Sequence, residues 1–360
     1  MTLRKTGPFR IVGISFDHMH MGDLLRLVQA NSQAELVGIF DPDPSRMARD
    51  VAALGIPDTH VFTDFDACMA TRPDLAILCS APADHASYTE RLAAHDCHVL
   101  VEKPFAASAA EARRMIAAMR DKVLAINWPL VWVPAHVTAK RLIDQGLIGD
   151  LLEVHFYGGN RGPLYHLAHK VEVSPAEVEA QKPASWWYKR AAGGGSLLDY
   201  LGYGATLGTW YMNGQAPLEI TCTVDETPGI EVDQHSITVL RYARGLSRME
   251  TRWGTFTDPW TIQPQPQCGF VFVGSDGTIQ SRDYADHVTV QTRARPAPCL
   301  VPAEPLPKGR QNAIDHVLDC LAKGEPITGP LAPEVSLLGQ RIVDSAALSA
   351  QLKRTVTLLP

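Results

Sequence analysis

The sequence predicts an α/β protein in which a doubly wound parallel sheet is followed by a second α/β domain with a mostly antiparallel sheet. Over the first third of the chain, short apolar runs alternate with segments of helical periodicity. Strand-like runs bounded by turn residues follow, and two amphipathic segments close the chain. A length of 360 residues suits two domains. We place them at residues 1–128 and 129–360.

Each strand and helix of the first domain is visible in the sequence. The predicted strands are Phe9 to Ile14, Glu35 to Phe40, Val61 to Phe62, Leu75 to Cys79, His98 to Val101 and Val123 to Ile126. The predicted helices are Met21 to Ala30, Ser45 to Leu54 with Ser45 as its cap, Phe65 to Ala70, Asp84 to Ala94, and one that follows a capping box of Ser108 and Glu111. Such repeated units indicate parallel strands with helices on both faces. Ligands of these sheets bind beyond the carboxyl ends of the strands.

The second domain has a different pattern. A helix ends at Gln145, and strands are predicted at Leu151 to Tyr157, Leu218 to Val224, Ser236 to Tyr242, Gly269 to Val273 and Val288 to Thr292. Helices are predicted from Ala313 to Leu321 and from Val335 to Ala346. Strands that follow one another with turn residues between them favour an antiparallel arrangement.

Composition and charge argue against several classes of partner. The net charge of −6 gives no support to binding of nucleic acid or an anionic membrane. No apolar run reaches the roughly 18 residues that span a bilayer, and the first one is too short for a signal peptide. The seven cysteines are widely spaced, which disfavours close-spaced zinc motifs and indicates reduced thiols in a cytoplasmic protein.

The loop after the first strand lacks the glycines of a dinucleotide-binding turn. Such turns carry G-x-G-x-x-G, which lets the backbone approach a pyrophosphate. One alignment places Ser15, Asp17 and His20 at the glycine positions, and another places Gly13, Ser15 and His18 there. A carboxylate beside a pyrophosphate costs roughly 1–4 kcal/mol at surface-like dielectric. The helix that follows still offers its first N–H groups to an anion.

Asp41 is stronger evidence for a dinucleotide. It ends the second predicted strand, where an acidic residue accepts hydrogen bonds from the adenosine ribose. Its charge would repel a 2′-phosphate, which favours NAD over NADP. Arg46 is a candidate ligand for a 2′-phosphate, so NADP stays open. The structural alternative is a simple turn at Asp41.

Two histidine pairs have the spacing of metal ligands. They are His18-x-His20 and His166-x-x-His169. Neither pair has a cysteine or a clear carboxylate partner at ligand spacing. We therefore predict no metal site and place these histidines at the surface or in the substrate pocket.

Two motifs resemble the Gfo/Idh/MocA oxidoreductases. The first is Glu102-Lys103-Pro104 after a strand, and the second is Gly193-Gly194-Gly195-Ser196-Leu197-Leu198-Asp199. Weaker similarities extend over nearly the whole chain. The resemblance implies an N-terminal Rossmann domain, a C-terminal domain with an open antiparallel sheet, and a nicotinamide cofactor. It also implies a carbohydrate or cyclitol substrate and a homo-oligomer, either a dimer or a tetramer.

The resemblance also assigns catalytic roles. Lys103 would contact the reacting oxygen, Asp199 would hold Lys103 and a neighbouring hydroxyl, and Tyr203 would carry the proton. The family usually has histidine where this chain has Tyr203. A tyrosine has a pKa near 10, and we expect the Lys103 ammonium to lower the pKa of Tyr203. The full set of residues expected around the cofactor is Ser15, Asp17, His18, His20, Asp41, Arg46, Ser80, Ala81, Pro82, His85, Glu102, Lys103 and Asn127.

The segment from Asn160 to Arg190 looks like an insertion that sets specificity. Aromatic faces beside polar groups suit sugar rings, and we name Arg161, His166, Trp187 and Tyr188 as candidate substrate residues. The function predicted is hydride transfer between NAD(P) and a sugar, sugar derivative or cyclitol. Two alternatives are a non-catalytic cofactor-binding sensor or regulator, and an NAD-dependent glycosidase that works through a transient ketone.

Overall fold

The computed structural model describes residues 7–360, so the first six residues of the predicted N-terminal domain lie outside the described part. The first sheet contains β1 (Phe9–Ile14), β2 (Ala34–Phe40), β3 (Val61–Phe62), β4 (Leu75–Leu78), β5 (His98–Glu102) and β6 (Leu124–Asn127). All pairings are parallel and the strand order is β3-β2-β1-β4-β5-β6. This arrangement confirms the doubly wound parallel sheet.

Five helices connect these strands: α1 (His20–Ala30), α2 (Pro44–Leu54), α3 (Phe65–Met69), α4 (His85–Ala94) and α5 (Ala109–Ala118). The predicted cap of α2 is wrong by two residues. The Asp43 carboxylate accepts the N–H of Ser45 at 3.0 Å, so Asp43 is the cap. Ser108 caps α5 by accepting the N–H of Glu111.

The second sheet contains nine strands. They are β7 (Leu151–Asn160), β8 (Glu219–Val224), β9 (His235–Arg241), β10 (Leu246–Trp253), β11 (Gly269–Gly274), β12 (Gly277–Arg282), β13 (His287–Thr292), β14 (Cys299–Pro302) and β15 (Val356–Thr357). Their order is β14-β13-β12-β11-β7-β10-β9-β8-β15. Only β7 and β10 pair in parallel, which confirms a mostly antiparallel sheet.

The sequence reasoning missed β10, β12, β14 and β15. In β10, buried and more exposed residues alternate as in any half-buried strand. Two of the inward residues, Ser247 and Thr251, are polar, so the apolar alternation is broken. Their hydroxyls are satisfied inside the protein, because Ser247 Oγ accepts the N–H of Val154 and Thr251 Oγ1 bonds the Ser196 and Ser236 hydroxyls. Hydrogen bonding therefore replaces hydrophobicity at these positions.

The remaining helices are α6 (Pro134–Asp144), α7 (Pro175–Gln181), α8 (Gly202–Tyr211), α9 (Ala313–Lys323) and α10 (Pro333–Leu352). Helices α6, α8 and α10 pack on the second sheet, against β12, β7 and β8 respectively. Helix α9 packs instead with α1, and its buried residues Ala313, Ile314, Val317 and Leu318 join the apolar cluster of the first sheet. Between residues 7 and 360, no helix combines the length and the apolar character needed to cross a membrane.

The crossing of α8 and α10 gives a test of this packing. A Cβ at Gly339 would lie 2.1 Å from Thr206 Oγ1 and 3.0 Å from Thr206 Cα. Gly339→Ala gains about 1 kcal/mol of helix propensity, but overpacking against backbone costs about 1–3 kcal/mol. We expect a lower midpoint of thermal unfolding. Ala347→Ser, at an exposed position of α10, is the control and should change the midpoint little. A midpoint raised by Gly339→Ala would contradict this crossing.

Candidate active site

A cleft lies at the carboxyl ends of the parallel strands, between the two sheets. Lys103 enters it from the end of β5, Asp199 from the turn before α8, and Tyr203 from the start of α8. His18, His166 and Trp187 also line the cleft. Residues that are far apart in sequence thus share one concave site.

Lys103 and Asp199 form a buried ion pair. Lys103 Nζ lies 2.5 Å from Asp199 Oδ1, and the two residues are 5% and 4% exposed. Asp199 Oδ2 accepts the indole N–H of Trp253 at 2.9 Å. Each carboxylate oxygen therefore has one strong donor, which compensates for part of the loss of hydration.

The triple-glycine motif sets the path of the backbone before Asp199. Gly193 and Gly195 have φ values of 87° and 111°, in the left-handed region that favours glycine. A Cβ at Gly194 would lie 2.2 Å from the Trp187 carbonyl oxygen. A single turn of π-helix, Leu197–Leu201, follows and presents Asp199 to the cleft. The glycines are needed for this close backbone approach.

Tyr203 follows Asp199 by one helical turn and lines the same cleft. Lys103 Nζ lies 5.5 Å from the centre of its ring. Burial raises the pKa of Tyr203 well above its usual value, and the Glu102 and Asp199 carboxylates raise it further. The expected lowering of this pKa is therefore wrong. The physical reason is that Asp199 holds the Lys103 ammonium, while burial disfavours a phenolate.

Glu102 and Asn127 form a second polar group beside the ion pair. Glu102 is 0% exposed. Its Oε1 lies 2.8 Å from His20 Nδ1, and its Oε2 accepts from Asn127 Nδ2 at 2.7 Å. His18 is buried next to His20, with ring centres 4.4 Å apart. Through these hydrogen bonds of Glu102, the end of β5 is linked to β6 and to the loop after β1.

The loop after β1 keeps a glycine-like backbone without glycine. Ser15 has a φ of 63°, which is uncommon for a residue with a side chain. The Asp17 carboxylate accepts from Ser15 Oγ at 3.1 Å, from the N–H of Ala81 at 3.1 Å and from Arg46 Nη1 at 2.5 Å. The Asp17 carboxylate, whose charge would repel a pyrophosphate, is thus paired with the Arg46 guanidinium.

Two expected cofactor residues have other partners. Asp41 is fully buried, and its oxygens accept the N–H groups of Phe16 and Asp43 at 2.7 and 2.9 Å. Burial raises its pKa. His85 is fully buried, with Nε2 and Nδ1 2.9 and 3.1 Å from the carbonyl oxygens of Ser80 and Phe105. Both residues anchor loops here and neither lines the cleft, so their roles as cofactor contacts stay predictions.

The remaining expected cofactor residues lie around the loop after β4. The hydroxyl of Ser80 is buried and has no hydrogen-bond partner among the described residues. Pro82 packs against the triple-glycine segment, because a Cβ at Gly193 would lie 2.8 Å from Pro82 Cβ. This loop therefore connects the first sheet to the turn that carries Asp199.

The expected substrate residues divide into two pairs. His166 and Trp187 line the cleft. Arg161 does not, because Asp258 and Glu172 bind its guanidinium at 2.7 and 3.0 Å. Tyr188 is 7% exposed and packs on Trp253 with ring centres 5.5 Å apart. The assignments of Arg161 and Tyr188 to the substrate stay predictions: Arg161 is held in ion pairs and Tyr188 packs in the core.

The sequence reasoning also missed residues that line the cleft. Asp283 and Tyr284 follow β12, a strand that was not predicted. His136 Nε2 lies 2.8 Å from Asp283 Oδ1, and Tyr284 has a φ of 61°. Trp253, the donor to Asp199, ends the unrecognised strand β10. If β10 had been predicted, the aromatic residue at its end would have been the sequence signal that pointed to Trp253.

The fold and this site define an NAD-dependent oxidoreductase with a Rossmann domain. Residues 9–127 match the family model of the oxidoreductase family with an NAD-binding Rossmann fold, and residues 136–280 match the GFO/IDH/MocA C-terminal domain. The chain belongs to the Gfo/Idh/MocA oxidoreductase family, as the two motifs indicated. The family description gives this Rossmann domain NAD as its cofactor.

Named relatives include sugar oxidoreductases. A dTDP-3,4-didehydro-2,6-dideoxy-α-D-glucose 3-reductase from Streptomyces violaceoruber is 38% identical over 90 residues, which are 24% of this chain and 26% of the relative. A D-xylose 1-dehydrogenase [NADP(+)] from Haloarcula marismortui is 33% identical over 153 residues, 41% of this chain and 42% of the relative. The matched segments thus span less than half of either relative.

Solved structures share the whole fold. An oxidoreductase from Agrobacterium radiobacter, in complex with NAD+, L-tartaric acid and magnesium, has a TM-score of 0.76 and 18% identity. The match covers 97% of this chain and 98% of that one. At this identity the likeness establishes the fold alone.

The residues present fit a dinucleotide. A recess lined by Asp17, Arg46 and Trp186 shares His18 and Trp187 with the cleft, so one continuous depression runs along the carboxyl ends of the strands. Ligands of doubly wound sheets occupy this edge. Arg46 supplies positive charge at the end of the recess that lies near β2.

The ion pair between Lys103 and Asp199 can be tested through stability. Asp199→Ala leaves a buried ammonium without its partner, and we expect the free energy of unfolding to fall by about 3–5 kcal/mol. Lys103→Met combined with Asp199→Leu removes both charges and should recover most of this loss. Chemical denaturation measures both. If Asp199→Ala is as stable as the wild type, the pair is not closed in solution.

Proposed function

We propose that this chain transfers a hydride between NAD and a carbon bearing a hydroxyl or carbonyl group in a sugar, sugar derivative or cyclitol. The observation that carries the proposal is the convergence of Lys103, Asp199 and Tyr203 in one cleft at the carboxyl edge of an NAD-binding sheet. The sugar activities named for the relatives support this substrate class.

Each side chain has a role that follows from its chemistry. Bound NAD supplies the hydride acceptor, and reduced NAD supplies the donor. Lys103 stabilises the negative charge that develops on the reacting oxygen. Asp199 holds Lys103 in place and is itself held by Trp253. Tyr203, kept neutral by burial, donates its proton to the carbonyl oxygen in the direction of reduction.

The substrate ring has aromatic surfaces to pack on. Trp187 stacks on Trp186 with ring centres 3.7 Å apart, and Trp260 packs on His166 at 4.6 Å. Asn160, His166 and Tyr284 supply polar groups in the same cleft. Flat aromatic faces beside hydrogen-bonding groups suit the two kinds of surface of a sugar ring.

NADP remains an alternative cofactor. Arg46 is nearly half exposed beside the end of β2, and its Nη1 lies 4.0 Å from Asp41 Oδ1. The same guanidinium also binds Asp17, so a 2′-phosphate would compete with that carboxylate. We therefore propose a preference for NAD.

We also propose a cytoplasmic location, which is consistent with the seven free cysteines. A homo-oligomer would form through the open face of the second sheet.

Cofactor binding and turnover together test the proposal. NADH and NADPH are titrated by fluorescence, and aldoses, uronates, lactones and inositols are then screened for turnover. Accumulating NADH with an oxidised product supports a dehydrogenase. Binding without turnover supports a sensor, an alternative that the Asp17 carboxylate on the Ala81 N–H favours. Glycoside cleavage with no net NADH supports the glycosidase alternative.

Lys103→Ala should lower kcat by about 10²–10³-fold, the usual loss when a donor to a developing oxyanion is removed. The dissociation constant for NADH should change little, because the proposed role of Lys103 concerns the reacting oxygen. Steady-state kinetics and a fluorescence titration give the two values. Lys182→Ala, at a surface lysine paired with Glu179, is the matched control. Unchanged turnover would remove Lys103 from the mechanism.

Tyr203→Phe should lower kcat for reduction by about 10²–10⁴-fold, the usual contribution of a general acid. Because its pKa is raised, the phenol stays protonated at higher pH than a free tyrosine. The wild-type rate of reduction should therefore show no loss from Tyr203 between pH 7 and 9. Tyr242→Phe, at a buried tyrosine outside the cleft, is the control. A Tyr203→Phe variant with the wild-type rate would transfer the role to another group.

A further inference from the structure

We propose that His18, His20 and Glu102 bind a first-row transition-metal ion of the zinc class at the floor of the cleft. Each side chain offers one ligand atom, and the three atoms lie within 4.8 Å of one another. This proposal goes beyond the dehydrogenase reaction and does not depend on it.

The donor set selects the kind of metal. Two imidazoles and one carboxylate are the ligands of many catalytic zinc sites and of mononuclear iron sites that keep open positions. Magnesium and calcium prefer oxygen donors and are disfavoured by two imidazoles. Zinc is therefore the appropriate probe.

Glu102 has the surroundings of a metal-binding carboxylate. It is fully buried, and among residues 7–360 its ion-pair partner within 4 Å is His20, which carries charge only when protonated. Lys103, the next residue, is engaged by Asp199. Asn127 donates to Oε2 and leaves Oε1 facing His20. An outer hydrogen bond that fixes the carboxylate is typical of metal sites.

His18 supplies an independent observation. Its Nε2 is buried and has no hydrogen-bond partner within the described part of the chain. Its Nδ1 accepts the N–H of His20 at 3.2 Å, the long end of such bonds. A metal on Nε2 requires the ring proton on Nδ1, so this weak contact with the His20 N–H would be broken. The metal would satisfy a nitrogen that is otherwise buried without a partner.

The remaining coordination positions would face the cleft. His20 is partly exposed there, and Lys103 and His166 line the same space. Nδ1 of His166 is a second buried nitrogen that has no partner among residues 7–360. A hydroxyl or carboxylate oxygen of a substrate could thus complete the coordination sphere beside Lys103.

Zinc binding to the full chain tests the site. The protein is stripped with a chelator and titrated with zinc alone by calorimetry, and the zinc retained after gel filtration is measured. We expect one zinc per chain in the wild type and its loss in His18→Ala, His20→Ala and Glu102→Gln. His169→Ala and His155→Ala, at histidines that are not among the proposed ligands, should retain it. Equal zinc binding by the wild type and the His18→Ala/His20→Ala double variant would overturn the proposal.

Two further measurements do not depend on removing a ligand. Asn127→Ala keeps all three ligands and should weaken zinc binding about 10–100-fold, as loss of an outer hydrogen bond does. Cobalt added to the stripped wild-type protein should give visible absorption of a nitrogen- and oxygen-bound ion, and zinc should displace it. No such absorption would contradict the site. Because cofactor and substrate are absent, either failure leaves the proposed dehydrogenase reaction unaffected.

Discussion

The ion pair between Lys103 and Asp199 is the interaction on which the organisation of the cleft depends. It joins the end of β5 in the first sheet to the π-helical turn that precedes α8 on the second sheet, 96 positions apart in sequence. Taking both charges out of water is costly, and only close, hydrogen-bonded geometry compensates for it. The indole of Trp253 supplies a further donor to Asp199. The two halves of the chain must therefore meet in one arrangement before either charge can be buried.

Glu102 and Lys103 are neighbours at the end of β5, but they belong to two different polar groups of the cleft. Side chains of successive strand residues point in opposite directions. Lys103 turns to the second sheet, whereas Glu102 turns to His20 and Asn127 in the first. The Glu102 carboxylate thus does not pair with the neighbouring Lys103. The Lys103 ammonium and the Glu102 carboxylate can therefore occupy adjacent positions in the sequence without pairing with each other.

Much of the fold and part of the site could be predicted from the sequence. Apolar strands such as Leu75–Leu78 are buried on both faces, and their pattern is plain. Strand β10 was missed because Ser247 and Thr251 are buried by hydrogen bonds, which hydrophobicity does not report. Lys103 and Asp199 were found through local motifs. The ion pair of Arg161 with Asp258 could not be predicted, because the two residues are 97 positions apart and only the tertiary fold brings them together.

Two departures from the family pattern lie on opposite sides of the same cleft. On α8, a phenol stands where the family usually has histidine, and burial keeps that phenol neutral. On the loop after β1, Ser15 keeps the left-handed backbone of a glycine, while His18 and His20 add imidazoles. In this chain imidazole nitrogens therefore lie on the loop, beside Glu102, and not at position 203 of the helix. A histidine on the helix would exchange protons with substrate, whereas paired imidazoles against a buried carboxylate suit a cation. In the functions we propose, the same cleft therefore separates proton transfer, assigned to Tyr203, from the positive charge of the proposed metal ion next to Lys103.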